Sequence, residues 1–171
     1  VGTLVVNGEG TLTIAGGKIT ATKILANTSI AADETTLALA EMDIAEGKTV
    51  TYTTTTTMAN PNQLTNSHAL ALKSLTGEGT LVKKGTGVIG LFSTKAETAI
   101  DVQQGAIYVR EAPTTAMNIA AKAGAEIRLA AWHIDFANTA NKITLDGGAQ
   151  LTLANGANVS GTITIANAAE T

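Results

Sequence analysis

The sequence predicts an all-β protein: a right-handed single-stranded parallel β-helix, or β-solenoid, running as one continuous segment through residues 1–171. Three observations predict it. Short blocks open on a glycine and then alternate apolar with polar residues, the period-two signature of a strand that buries one face. The block-leading glycines Gly87, Gly105, Gly124 and Gly148 lie 18, 19 and 24 residues apart, the size of one solenoid coil. Ala and Thr together make up about a third of the chain and aromatics only 3%, a composition that suits closely stacked pleated strands better than an ordinary globular core. At about 20 residues per coil the chain makes roughly eight coils, and at about 4.8 Å per step the rod is roughly 40 Å long.

Taken in order, the strand blocks are GTLVV (Gly2 to Val6), GTLTI (Gly10 to Ile14), GKITA (Gly17 to Ala21), GKTVTY (Gly47 to Tyr52), GAIYV (Gly105 to Val109), GAEIRL (Gly124 to Leu129), GAQLTL (Gly148 to Leu153) and GTITI (Gly161 to Ile165). The shorter spacings between Gly2, Gly10 and Gly17 mark corners within a coil, where a tight bend needs positive φ or close backbone approach. The alternation assigns Leu4, Val6, Leu12, Ile14, Ile19, Leu81, Ile89, Leu91, Ile100, Val102, Ile107, Val109, Ile127, Leu129, Ile143, Leu145, Leu151, Leu153, Ile163 and Ile165 to the interior, with their neighbours facing solvent. Lys83 is read as replaceable by Ala at little cost. Residues 32–47 (ADETTLALAEMDIAEG) have the propensity of a helix, but Leu37 and Leu39 followed by Met42 and Ile44 fit two short strands with a bend, and that reading agrees with the neighbouring blocks. Residues 115–124 carry the same ambiguity and admit one helical turn. Residues 53–68 hold five consecutive threonines, the Asn60-Pro61-Asn62 turn signal and no clean alternation, and are read as a loop that protrudes from the helix body.

One stretch carries a more specific pattern. In GEGTLVKKGTGVIGLFS and the QGAIYV that follows, Gly77, Gly79, Leu81, Lys83, Gly85, Gly87, Ile89, Leu91, Gly105, Ile107 and Val109 fall on a glycine-x-glycine-x-Leu-x-Lys-x-glycine-x-glycine-x-Leu-x-Leu, then glycine-x-Leu-x-Val, spacing. This resembles the autotransporter-associated β-strand repeat of passenger domains in bacterial proteins exported by the type V route. The resemblance covers about 33 residues, and its middle departs from the family, reading TKAETAIDVQQ where a glycine and a Tyr-Thr-Gly segment are usual. It implies a fragment of a larger exported protein, secreted or held at the bacterial cell surface, outer membrane-associated through a region not in this chain. It also implies a non-enzymatic role as a rigid stalk or adhesive scaffold that aids export by vectorial folding. The expected partners are a host or bacterial surface protein or glycan; a separate alternative is a self-association module in which flat faces of Thr and Asn pair between molecules.

Composition removes several other classes. The chain has no cysteine, which excludes a disulfide framework, thiolate metal ligands and cysteine nucleophiles. A net charge of −3 with 15% charged residues advertises no phosphate-binding surface, so nucleic acid is not an expected partner. No run of about 18 apolar residues exists to span a membrane. The chain starts at Val1 with no signal peptide and reads as a mature or excised piece.

Parallel β-helices also host polysaccharide lyases and glycosidases, whose chemistry gathers carboxylates on neighbouring coils. The candidates here are Asp101, Asp135 and Asp146, with Lys142 and Arg110 as cationic partners, but their spacings of 34 and 11 residues do not match whole coils. They are read as solvated charges, and no catalytic residue is assigned. Trp132, Tyr52, Tyr108, Phe92 and Phe136 are too sparse for a carbohydrate platform. Trp132 and Phe136 alternate with His133 and Asp135, a pattern of a core plug beside a solvated pair. His68 and His133 lie too far apart in sequence to indicate a metal site, and no cofactor is expected. TGEGTLVKKGTG continues as a strand rather than a helix, which rules out a phosphate-cradling loop. Two readings stand for the loop: a passive insertion, tolerated because lengthening a surface loop costs little entropy, or a recognition segment acting through Thr54, Asn60, Asn62, Gln63 and Asn66, whose side chains can hydrogen-bond a polar ligand.

Overall fold

The computed structural model describes residues 2–33, 37–38, 41–56, 70–91, 97–129, 135–154 and 156–166. In chain order the strands are β1 (Thr3–Val6), β2 (Thr11–Thr13), β3 (Ile19–Thr20), β4 (Lys23–Ala26), β5 (Ser29–Asp33), β6 (Leu37–Ala38), β7 (Glu41–Ile44), β8 (Thr49–Thr53), β9 (Leu70–Leu72), β10 (Ser74–Thr76) and β11 (Thr80–Lys84). They continue with β12 (Val88–Leu91), β13 (Ala99–Val102), β14 (Ala106–Val109), β15 (Asn118–Ala121), β16 (Glu126–Leu129), β17 (Asp135–Phe136), β18 (Lys142–Leu145), β19 (Gln150–Leu153), β20 (Asn158–Val159) and β21 (Thr162–Ile165). The architecture is the one the alternation predicts: all-β, with parallel sheets stacked as a β-solenoid of about six turns.

Three sheets form its faces. The main sheet runs β2-β5-β8-β11-β13-β15-β18-β21, a second runs β1-β4-β7-β10, and a third runs β9-β12-β14-β16-β19. The structure forms about six turns rather than the roughly eight expected, although the main sheet counts eight strands among the described residues.

Registered stacking makes the core. In the main sheet Leu12, Ile30, Val50, Leu81, Ile100, Ile119, Ile143 and Ile163 form one continuous aliphatic ladder. On the third sheet Ile89, Ile107, Ile127 and Leu151 form another, and Leu72, Leu91, Val109, Leu129 and Leu153 a third. The inner members of these ladders are fully buried, each contributing about 1.5–3 kcal/mol through removal of apolar surface from water. Residues 41–44 are a strand with Met42 and Ile44 buried, so the two-strand reading of residues 32–47 holds, with Leu39 outside the described residues. No helical turn forms at residues 115–124, where β15 joins the main sheet.

Four interior assignments are corrected. Leu12, Leu153, Ile163 and Ile165 are 39%, 48%, 46% and 72% exposed. Their phase is right, but β2, β19 and β21 are edge strands among the described residues, and a ladder's last rung has no neighbour to cover it.

Lys83 is a second correction, because it is wholly buried. It stands two residues after Leu81 and shares its inward phase, stacked between Tyr52 and Val102. Its ammonium donates to the carbonyl oxygens of Gly85 and of Gln104, the latter at 2.7 Å. The repeat glycines make room for it. Gly105 has a φ of +69°, and a Cβ there would overlap the Lys83 ammonium and the carbonyl oxygens of Gly85 and Gly87.

Polar side chains bind one coil to the next. Thr28 Oγ1 donates to Gly8 O at 2.8 Å, and Thr98 Oγ1 lies 2.8 Å from both Thr76 O and Gly77 O. Buried Asn141 accepts from Met117 N at 2.9 Å and donates to Phe136 O and Ser160 O at 3.1 Å. Buried carbonyl and amide groups demand such partners, which is why a chain with few large residues uses so much Thr and Asn.

Candidate functional site

Of the segment assigned to recognition, residues 53–56 are described. Strand β8 runs through Thr53, and Thr54 is 1% exposed, its amide donating to Lys84 O at 3.0 Å and its carbonyl accepting from Gly87 N at 2.9 Å. Val88 N reaches Thr56 O at 3.0 Å, so the stack continues through residue 56. Thr54 is thus buried in the stack, and the threonines at 53, 54 and 56 take part in its backbone ladder. Asn60, Asn62, Gln63 and Asn66 lie outside the described residues, as do Trp132 and His133.

The carboxylates are partly gathered. Asp101 projects from the outer face of β13, Lys122 follows β15 and Asp146 follows β18, three successive rungs of the main sheet. Lys122 Nζ lies 3.1 Å from Asp146 Oδ2. Its ammonium is held above the ordinary lysine range, first by the hydrogen bond and charge of Asp146 and then by the charge of Asp101. Asp101 Oδ2 accepts from Gln103 Nε2 at 2.9 Å, while its Oδ1 is buried and has no hydrogen-bond partner among the described residues. Lys122 does not stand out in the sequence because coil lengths vary: Asp101 aligns with Ala120 and Ala120 with Thr144, so no fixed period brings these three residues together.

Asp135, Lys142 and Arg110 do not join that cluster. Asp135 Oδ1 accepts from Asn158 Nδ2 at 2.8 Å in the small β17-β20 sheet. Lys142 is exposed at the start of β18. Arg110 follows β14 of the third sheet, its guanidinium 5.8 Å from the Tyr108 ring centroid, with Arg128 5.9 Å from the same ring. Arg128 forms a two-point pair with Glu126 at 2.9 and 3.1 Å, and Thr152 Oγ1 donates to Glu126 at 2.7 Å. Tyr108 is on the outer phase of β14, as the alternation has it, yet it is 2% exposed. The register explains why: Gly90 lies beside Tyr108 on one rung and Arg128 on the other, so the ring rests where one neighbour has no side chain and the other spreads a flat cation over it.

Chemically, the Asp101–Lys122–Asp146 group is a partly exposed ion cluster in which one ammonium offsets one of two carboxylates, leaving one negative charge. Exposed pairs such as Lys122–Asp146 contribute little to stability. Among the described residues no three His, Asp or Glu side chains gather as a metal-binding set, and no helix is long and apolar enough to cross a membrane. Comparison with protein-family models, with curated proteins and with solved structures finds no match.

Proposed function

We propose that this chain is a non-enzymatic structural segment of an exported bacterial passenger protein, a rigid stalk or adhesive scaffold at the cell surface. The observation that carries this reading is the unit built by the repeat-like stretch. Leu81 is core, Lys83 is buried against the carbonyls of Gly85 and Gln104, and Gly105 of the next coil leaves space for its ammonium. Residues on which the autotransporter-repeat resemblance rests thus serve coil stacking, which supports the scaffold reading. A solenoid whose rungs contact only their neighbours can also fold from one end as it emerges from a membrane, in keeping with vectorial folding during export.

The test is localisation of the product of the full gene in its own bacterium. Antibody labelling and protease cleavage of this segment on intact cells are the expected result; a product found only inside intact cells would contradict it. A second reading, a polysaccharide-processing enzyme, draws on Asp101 and Asp146 flanking Lys122. Depolymerisation of an acidic polysaccharide that is lost on Asp101→Asn and Asp146→Asn would favour it over the scaffold.

A further inference from the structure

The corner between β1 and β2 is longer than the corner stacked on it. Val6 pairs with Ala26 and Thr11 with Ser29, so Asn7, Gly8, Glu9 and Gly10 turn where, one coil on, only Asn27 and Thr28 do. The two extra residues have no rung to join, and all four corner residues are exposed. That exposure belongs to the corner and not to the place of this coil in the chain, because Asn27, with a coil on either side, is exposed at the equivalent position. Gly8 has a φ of +138°, a conformation that suits glycine, and the space a Cβ would take there is open, with Thr28 Oγ1 3.9 Å away. Asn27 Nδ2 donates to Asn7 Oδ1 at 2.8 Å, and Thr28 Oγ1 donates to Gly8 O at 2.8 Å. Asn7 Nδ2 and the Gly8 N–H make no hydrogen bond among the described residues. Of the described asparagines, Asn27, Asn118, Asn138, Asn141 and Asn158 precede Thr, Ile, Thr, Lys and Val, and Asn7 alone precedes glycine.

We propose that Asn7 is a site of spontaneous deamidation, in which the main-chain nitrogen of Gly8 closes a cyclic imide on the Asn7 side chain. Gly8 N gives up its proton to solvent base and attacks Asn7 Cγ. The N–Cγ bond forms, the Cγ–Nδ2 bond breaks, and ammonia leaves with the proton returned. The missing Cβ at Gly8 leaves this approach uncrowded. As the nitrogen adds, negative charge gathers on Asn7 Oδ1, where the Asn27 donor already sits to stabilise it. Water then opens the imide. Opening at Cγ yields an aspartate on the ordinary backbone, whereas opening at the main-chain carbonyl carbon yields isoaspartate, whose backbone runs through Cγ and is one methylene longer. Either product puts a new carboxylate beside Glu9, and the isoaspartate lengthens a corner that Thr28 holds to the coil above. The reaction needs only water, does not reverse, and stands apart from the scaffold reading.

The test incubates the folded 171-residue chain at mildly alkaline pH beside a peptide of residues 2–11, with circular dichroism following the fold. Peptide mapping by mass spectrometry reads each asparagine separately, including Asn155, which also precedes a glycine and lies outside the described residues. Labelling by an isoaspartyl methyltransferase reads the rearranged product. The expected result is conversion of Asn7 in the folded chain at a rate no slower than in the peptide, with isoaspartate among the products and the other described asparagines intact. Asn7→Gln, which keeps an amide at this exposed position but sets it too far from Gly8 N for a five-membered ring, is expected to lose the conversion. An Asn7 that stays an amide in the folded chain while the peptide converts overturns the proposal. So does conversion that appears only after urea unfolds the chain, and so does a product free of isoaspartate, which would mean direct hydrolysis without the imide.

Discussion

At Lys83 a charged side chain occupies a rung that Tyr52 fills on one side and Val102 on the other. Replacing it with Ala leaves a cavity and strips donors from buried carbonyls, a change of about 3–5 kcal/mol. Lys84→Ala, one residue on and exposed, is expected to stay within about 0.5 kcal/mol. Urea unfolding of the two variants checks this, and equal midpoints would contradict the burial of Lys83. Lys83→Met, which refills the volume without the donors, is expected to fall between them. Asn141→Ala removes the partners of three backbone groups on three different segments and is expected to cost about 2–3 kcal/mol, read as a lowered melting temperature. The alternation places Lys83 in phase with Leu81, but its charge argues for the surface, and only the stacked glycines and carbonyls of the neighbouring coil outweigh that charge. Asn141 is invisible in the sequence for a related reason: its partners come from residues 117, 136 and 160, and no local pattern links them.

For the strands, position in the stack decides what the same side chain is worth. Ile107 is covered on both sides by Ile89 and Ile127, so Ile107→Ala is expected to cost about 2–5 kcal/mol. Ile165, 72% exposed on the last strand, should lose less than about 1 kcal/mol on the same change. Calorimetric melting of the two variants separates them, and similar losses would mean that the last rung is covered. Strand existence and phase are legible from alternation, including the strand at residues 41–44 that helix propensity opposes. Which rungs are terminal is not, because period-two patterning carries no information about how many neighbours a strand will have. The ion cluster is half legible, since Asp101 and Asp146 stand out but their common partner does not. Lys122 is held above its ordinary range by Asp146 and Asp101. The stabilisation is therefore fully present below the unfolded lysine value of about 10.4 and is lost as pH rises through the higher folded value. Titration of the Lys122 side chain by NMR in Asp146→Asn is expected to show its midpoint moving down; an unchanged midpoint would remove Asp146 as the main cause.

For the whole molecule, the consequence of registered rungs is that contacts between residues about one coil apart replace a single central core. The composition, poor in aromatics and rich in Thr and Ala, follows from that plan, since narrow coils are held by aliphatic ladders inside and by Thr and Asn bonds at the corners. The order of the ladder is the account's central claim, and methyl–methyl nuclear Overhauser contacts measure it most directly. In a sample with labelled Ile and Leu methyls, Leu81 should contact Ile100, Ile100 should contact Ile119, and Ile119 should contact Ile143, in one unbroken series. A series broken between these neighbours, or cross-peaks pairing β13 with β14 as an antiparallel hairpin, would contradict the solenoid.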